Sequence, residues 1–362
     1  MSTRRLPRIA WKDHQMTSRP VARRGLLIGA GSLLAGGVLA ACGSDPEPPP
    51  APPQGPKASE PTPVNTTEQL TTVVSEVNAD VVQADTSLTS EELAPRVSGS
   101  AVHFRKAAYA MIEKVEEWKD YLDVPGAELA VPLTTVTAGF PRSSIALVQD
   151  PEQDGVHHFV ALQQVDARSP YTSWGWARQL GGIEMPSVSD ARVGAENVAA
   201  DTDDLLMTPA KALELYAKVL TDGDKADPDD VLADDPFQTT RHEQIQGERK
   251  DLNAGVEKDE AATIRETYAV HDKEFVGLRT DDGGAIVMGT LKSTRTVTVQ
   301  DGATMRYTED NQYTEVVGTK EFTDEYIRTY GTHVALYIPP QDADAPIQPI
   351  GASLTTLTVT GE

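Results

Sequence analysis

Leu70, Val73, Val74, Val77 and Val81 are spaced i, i+3, i+4, i+7 and i+11, and about 142 residues later Leu213, Tyr216, Ala217 and Leu220 repeat the first four steps. Only an α-helix puts such a set on one face, so each stretch is a helix that needs something to cover it. Asn65, with Glu68 three residues on, is placed to cap the first helix. Thr208 caps the second, with Pro209 at the first helical position. In the first half Phe104, Ala108, Met111, Ile112, Val115, Trp118 and Leu122 predict a second long helix. Beyond Pro132 the period changes to two, predicting strands at 135–140, 144–149, 156–165 and 171–180, with a turn at Asp154-Gly155. In the second half strands are expected at 262–270, 285–299, 303–317, 326–338 and 354–360, broken by turns at Asp282-Gly283-Gly284 and Asp301-Gly302.

Helices followed by antiparallel strands make an α+β fold, and the repeated order predicts an internal duplication. Two domains are expected, 65–198 and 205–362, with separate cores joined through the small, acidic stretch 191–205. Several of the expected strands exceed the usual five or six residues, which calls for a strongly bent sheet wrapping onto its helices.

The first 64 residues stand outside this pattern. Residues 25–41 are uncharged and rich in Leu, Gly and Ala, and Arg19, Arg23 and Arg24 precede them. A basic region, an apolar run and small residues before a cut site make an export signal over residues 1–41. The run is short for a membrane span. Leu39-Ala40-Ala41-Cys42 is similar to a bacterial lipobox, which implies that Cys42 is acylated and becomes the N-terminus. Arg23-Arg24-Gly25-Leu26-Leu27 matches twin-arginine spacing, although Ala22 stands where Ser or Thr is usual, so twin-arginine and Sec export both remain open. Met16 offers a second start. Residues 42–64 hold the lipidated cysteine and a tether of Pro, Ala, Ser, Glu and Gly, a composition that cannot bury a core. Cys42 is the only cysteine, so once it is acylated no disulfide is available to the folded part.

The formal charge is −23; seven basic residues and one acidic residue lie before Cys42, leaving 25 against 54, or −29, in the exported part. Nucleic acid and anionic lipid surfaces repel such a chain. The expected partners are membrane lipid through Cys42, and an envelope protein or a small apolar ligand.

Motifs that carry chemistry are scarce. His157 and His158 are neighbours in a strand and point to opposite faces. His242-Glu243 opens like a zinc-protease motif, but position 246 is Gln. His103, His271 and His333 have no second ligand nearby in sequence and read as structural or surface residues. The acidic loop 222–230 lacks the glycine and the closing glutamate of a calcium loop. No catalytic, cofactor or metal residue is assigned. The most distinctive patch is Tyr171-Thr172-Ser173-Trp174-Gly175-Trp176. Trp174 and Trp176 are two apart and on a regular strand face the same side, so Tyr171, Trp174 and Trp176 are either core or ligand-facing.

Two units of helix, helix and long curved meander resemble tandem nuclear transport factor 2-like cones. "ARSPYTSWGWARQLGG" at 167–182, "MTPAKALELYAKVL" at 207–220, "LADDPFQ" at 232–238 and "GFPRSSIAL" at 139–147 resemble uncharacterised actinobacterial lipoproteins that share a domain of unknown function. Ser143 and Ser144 stand where that group carries bulky aromatics. The resemblance implies a lipid-anchored protein on the outer face of the cytoplasmic membrane and brings no activity with it. Non-enzymatic binding is expected; the alternative is an isomerase or hydratase working in a cone pocket, with Asp166, Tyr171, Tyr268 and Asp272 as acid–base candidates.

Overall fold

Helix α1 (Thr67–Ser87) begins one residue later than Asn65 would set it. Thr66 is the cap: its hydroxyl accepts from Gln69 N, and the Gln69 side chain accepts from Thr66 N at 2.9 Å. Asn65 is buried and turned towards the Ser144 hydroxyl instead. The stripe Leu70, Val73, Val74, Val77 and Val81 is buried as its spacing demands. Helix α2 (Gly99–Ile112) is shorter than expected, because the chain tightens into a 3-10 segment over Glu116–Tyr121 that carries Trp118. Strands β1 (Glu128–Thr134), β2 (Arg142–Gln149), β3 (His157–Gln164) and β4 (Thr172–Arg178) follow as an antiparallel meander in that order.

The second half repeats the order. Thr208 precedes helix α3 (Pro209–Asp222), whose stripe is buried. Helix α4 (Pro236–Leu252) has no apolar stripe to announce it, and buries only Gln238 and Arg241. Strands β5 (Ala262–Arg279) and β6 (Ala285–Val299) follow. The stretch expected as one strand at 303–317 is instead a two-residue β7 (Met305–Arg306) and a short helix α5 (Gln312–Val317), capped by Asn311. After β8 (Glu321–Phe322) come β9 (Glu325–Ile338) and β10 (Gln348–Gly361). The long strands pair as β5, β6, β9, β10, again a meander, with the β7–β8 hairpin and α5 inserted in its middle. The likeness extends to connections. Val97, just before α2, bridges in parallel to Ser173 of β4, and Leu232, before α4, bridges in parallel to Ile347 beside β10.

The computed structural model describes residues 62–362 except 151–154, 308–310 and the side chains of 272 and 273. The expected signal at 1–41, Cys42 and most of the expected tether lie outside the described residues. No described helix is long and apolar enough to cross a membrane.

The expectation of two separate cores is corrected. The described residues belong to one compact unit. One face of each sheet points into a shared cluster: Leu133, Ile145, Leu147 and Phe159 from the first half meet Leu278, Ile286, Met288 and Ala335 from the second. Helices α1 and α2 cover the other face of the first sheet, and α3 covers that of the second. The sheets also join at both edges. Along one, Gln179 bridges to Gly351 and Leu180 N donates to Ile350 O at 2.9 Å, linking β4 to β10. Along the other, the connecting segment bridges the edges of both sheets. Ala195 N donates to Thr134 O of β1, and Val198 N to Gly277 O of β5, at 2.9 and 2.8 Å. The stretch 191–205 is therefore half inside: Ala195, Val198 and Leu205 are buried. Its polar residues masked that, because a segment hydrogen-bonded on both sides needs few apolar side chains to stay in place.

Candidate functional site

Helix α2 lies across the seam where the two sheets meet, and its buried face carries Ser100 and Arg105 among apolar side chains. Ser100, on its first turn, gathers groups from both halves. Its hydroxyl lies 2.9 Å from His333 Nε2 on β9 and 3.0 Å from the Trp174 carbonyl, and it contacts the Glu274 carboxylate closely. Its backbone N–H donates to Glu274 Oε1 at 2.8 Å. Ser98, the formal cap of α2, makes no side-chain cap, so a carboxylate on β5 takes that place. Burial holds the His333 imidazole neutral, with its pKa pushed down to about 3, and the charge on Arg105 adds to the effect. Its ring stacks on Phe104 at 4.8 Å, with Trp174 and Trp176 at 6.0 and 6.2 Å. Gly175 leaves the room: a Cβ there would stand 2.6 Å from the His333 ring.

One turn further along α2, Arg105 Nη2 donates to the Asp123 carbonyl at 2.7 Å and lies 3.4 Å from Asp85. The guanidinium sits over the Trp176 ring at 5.1 Å. Tyr109 donates to Asp85 at 2.7 Å, and burial raises the pKa of that carboxyl. Asp123 receives His158 Nε2 at 2.8 Å and the Ser353 hydroxyl at 2.5 Å. Burial alone would raise the Asp123 pKa; the His158 and Ser353 bonds outweigh it and bring it to about 2.

Above Arg105 the seam opens into a cavity of about 120 Å³. Trp118 and Tyr121 of the 3-10 segment and Tyr313 of α5 form its walls, with Ala108 and Leu122 beside Arg105 and with Leu354, Thr355 and Thr356 of β10 as its floor. Trp118 meets Tyr313 edge to face at 5.1 Å and tilts against Tyr121 at 5.6 Å. An open groove of about 890 Å³ elsewhere is lined by the chain around Pro63, by Val131 and Pro132 of β1 and by 188–192, a mixture of polar and apolar side chains.

A second polar cluster is closed on itself. Arg241 of α4 and Arg295 of β6 both pair with Glu266, and Arg295 and Arg328 pair with Glu248. Burial opposes ionisation of Glu266, but the two guanidiniums beside it bring its pKa to about 2. Three cations and two anions interlock beneath α4, which suits an anchor better than a reaction centre.

The aromatic patch read from the sequence lies under the cavity, not on its wall. Tyr171, Trp174 and Trp176 are all buried, and none of them lines the cavity or the groove. The expectation that both tryptophans share a face is corrected. Gly175 pairs with Ala161 and Ser173 with Leu162, so Trp174 is the extra residue of a bulge. Trp174 joins the shared core, while Trp176 packs under α1 and α2. Of the acid–base candidates, Asp166 is exposed and holds its own turn at Arg168 and Ser169. Tyr268 is buried against Arg241. The Asp272 side chain lies outside the described residues. Among the described residues no cluster of His, Cys, Asp and Glu is placed to hold a metal. Ser100, Glu274, Asp123 and Tyr313 escaped the sequence reading because they converge from 35 to 233 positions apart, with no local signal.

Residues 61–358 match the family described as Domain of unknown function (DUF8094), and the chain belongs to that family. No curated protein and no solved structure matches the chain at a significant level.

Proposed function

We propose that this member of the DUF8094 family is an exported lipoprotein, held on the outer face of the cytoplasmic membrane through acylated Cys42. Its folded part binds a small apolar ligand or an envelope protein and catalyses nothing. The export signal, the lipobox-like Leu39–Cys42 stretch and the proline-rich tether support the anchor. We read the two halves as duplicated nuclear transport factor 2-like units packed sheet to sheet. The repeated helix–helix–meander order and the matching parallel bridges at Val97 and Leu232 support that reading.

The observation that carries binding is the cavity between Trp118, Tyr121 and Tyr313, concave and largely apolar with a few polar groups on its wall. The isomerase or hydratase alternative would draw on an acid–base pair facing such a space. Ser100 and His333 look most like one, but both are buried and line neither the cavity nor the groove, and Phe104 stacks on the imidazole.

Native mass spectrometry of the protein gently extracted from its own host tests the binding role. A retained small molecule that Trp118→Ala releases supports it; a bare chain, with the variant indistinguishable, overturns the cavity as the site. Cys42→Ala tests the anchor separately. The variant should leave the membrane fraction for the medium, and persistence on the membrane after a high-salt wash overturns the assignment.

A further inference from the structure

We infer that the cavity above Arg105 takes a flat, ring-sized organic acid and discriminates against the matching cation. This rests on the binding reading above and names the chemistry of that site.

Size sets the first limit. About 120 Å³ admits a single ring with a small substituent, well short of the roughly 300 Å³ at which pockets for larger ligands begin. A lipid tail or a folded peptide does not fit. The shape is preset, since the Trp118 indole N–H donates to the Gln312 carbonyl and Gln312 Nε2 donates to the Tyr121 hydroxyl at 3.2 Å. Three rings held this way offer edges and faces to another ring without being reordered, which lowers the cost of binding.

Charge sets the second limit. Arg105 is the only charged residue on the wall, and it is incompletely used. Nη2 takes both the Asp123 carbonyl and the approach to Asp85, whereas Nε is buried without a hydrogen-bond partner. Asp85 and Asp123 balance its charge, yet neither lines the cavity. Behind the wall the Arg328 guanidinium lies 5.2 Å from the Tyr313 ring centre, already paired with Glu248. A bound cation would face the Arg105 guanidinium, with no carboxylate among the lining residues. A bound carboxylate would meet the Arg105 guanidinium, the one cation on the wall. The preference runs against the net charge of −23, which draws cations towards the protein as a whole. Local geometry therefore has to outweigh the long-range field.

Ligand-observed NMR on the full chain in lipid nanodiscs, with benzoate, benzyl alcohol and benzylammonium as probes, tests it. Benzoate should bind at least about tenfold more tightly than benzylammonium, the worth of one charge-assisted hydrogen bond. Tyr121→Ala, at a residue 60% exposed and so harmless to the core, should weaken every ring that binds. Arg105→Lys should retain part of the benzoate preference and Arg105→Gln should erase it, with folding checked by circular dichroism. Equal or stronger binding of benzylammonium overturns the inference. So does binding of none of the three probes to a folded chain freed of a native ligand that it rebinds, a result that leaves the broader binding role standing.

Discussion

The carboxylate of Glu274, on the first long strand of the second half, receives the backbone N–H of Ser100 at 2.8 Å, on the first turn of a helix of the first half. A helix normally caps itself with a neighbour in sequence; here the cap comes from 174 residues away. Each half therefore completes the other. Glu274→Ala should lower stability by about 1–2 kcal/mol, as loss of a capping side chain does. Because the cap joins both halves, denaturant unfolding should stay a single transition that shifts as a whole. Two resolved transitions in the variant would show that the halves do not depend on this link.

Gly331 is held to glycine by Phe104. A Cβ there would stand 2.1 Å from Phe104 Cζ, inside any real contact distance. Gly331→Ala should cost about 1–3 kcal/mol through overpacking. Adding Phe104→Leu should recover part of that loss in a double-mutant cycle. Strictly additive effects would mean the two sites do not touch.

Asp123 sets an acid limit on stability. Its pKa falls from 3.8 to about 2 on folding, so its bonds stabilise fully above the unfolded value and fade as pH drops through the folded one. At pH 6 Asp123→Asn should be about 2 kcal/mol less stable than the parent. The gap should shrink below pH 4 and close near pH 2. Measured by urea unfolding across that range, a constant gap would mean the loss is packing and not ionisation.

The connecting stretch 191–205 should resist proteolysis at its centre. Ala195 bonds through its N–H to Thr134 and through its carbonyl to Val136, Val198 N donates to Gly277, and between them Glu196 accepts from Arg279 N. Hydrogen exchange at Ala195 and Val198 N–H should be as slow as in the sheets. Early cleavage between them would restore the picture of two cores on a linker.

Much of the chain was readable in one dimension. The α1 and α3 stripes, the Thr208-Pro209 start and strand β6 follow from side-chain period, because burying one face of a helix or strand is a local demand. Helix α4 was silent for the opposite reason. Its inward face meets sheet residues through Arg241 and Glu248, whose partners Glu266, Arg295 and Arg328 come from β5, β6 and β9. A polar stripe has no meaning until its partners are known. The two-residue rule failed at Trp174 because a single bulge reverses the alternation, and nothing but pairing with β3 reveals the bulge.

Taken by itself, the sequence determined the α+β class, the two helix stripes and the turns between the long strands, all of which depend on composition and period. The tertiary structure alone decided that the two halves share one interior. It also brought Ser100, Glu274 and His333 together beneath α2 and left a ring-sized space above Arg105. Those outcomes depend on which faces meet. Period tells a face that it must be buried, but only the packing of both sheets selects the surface that buries it.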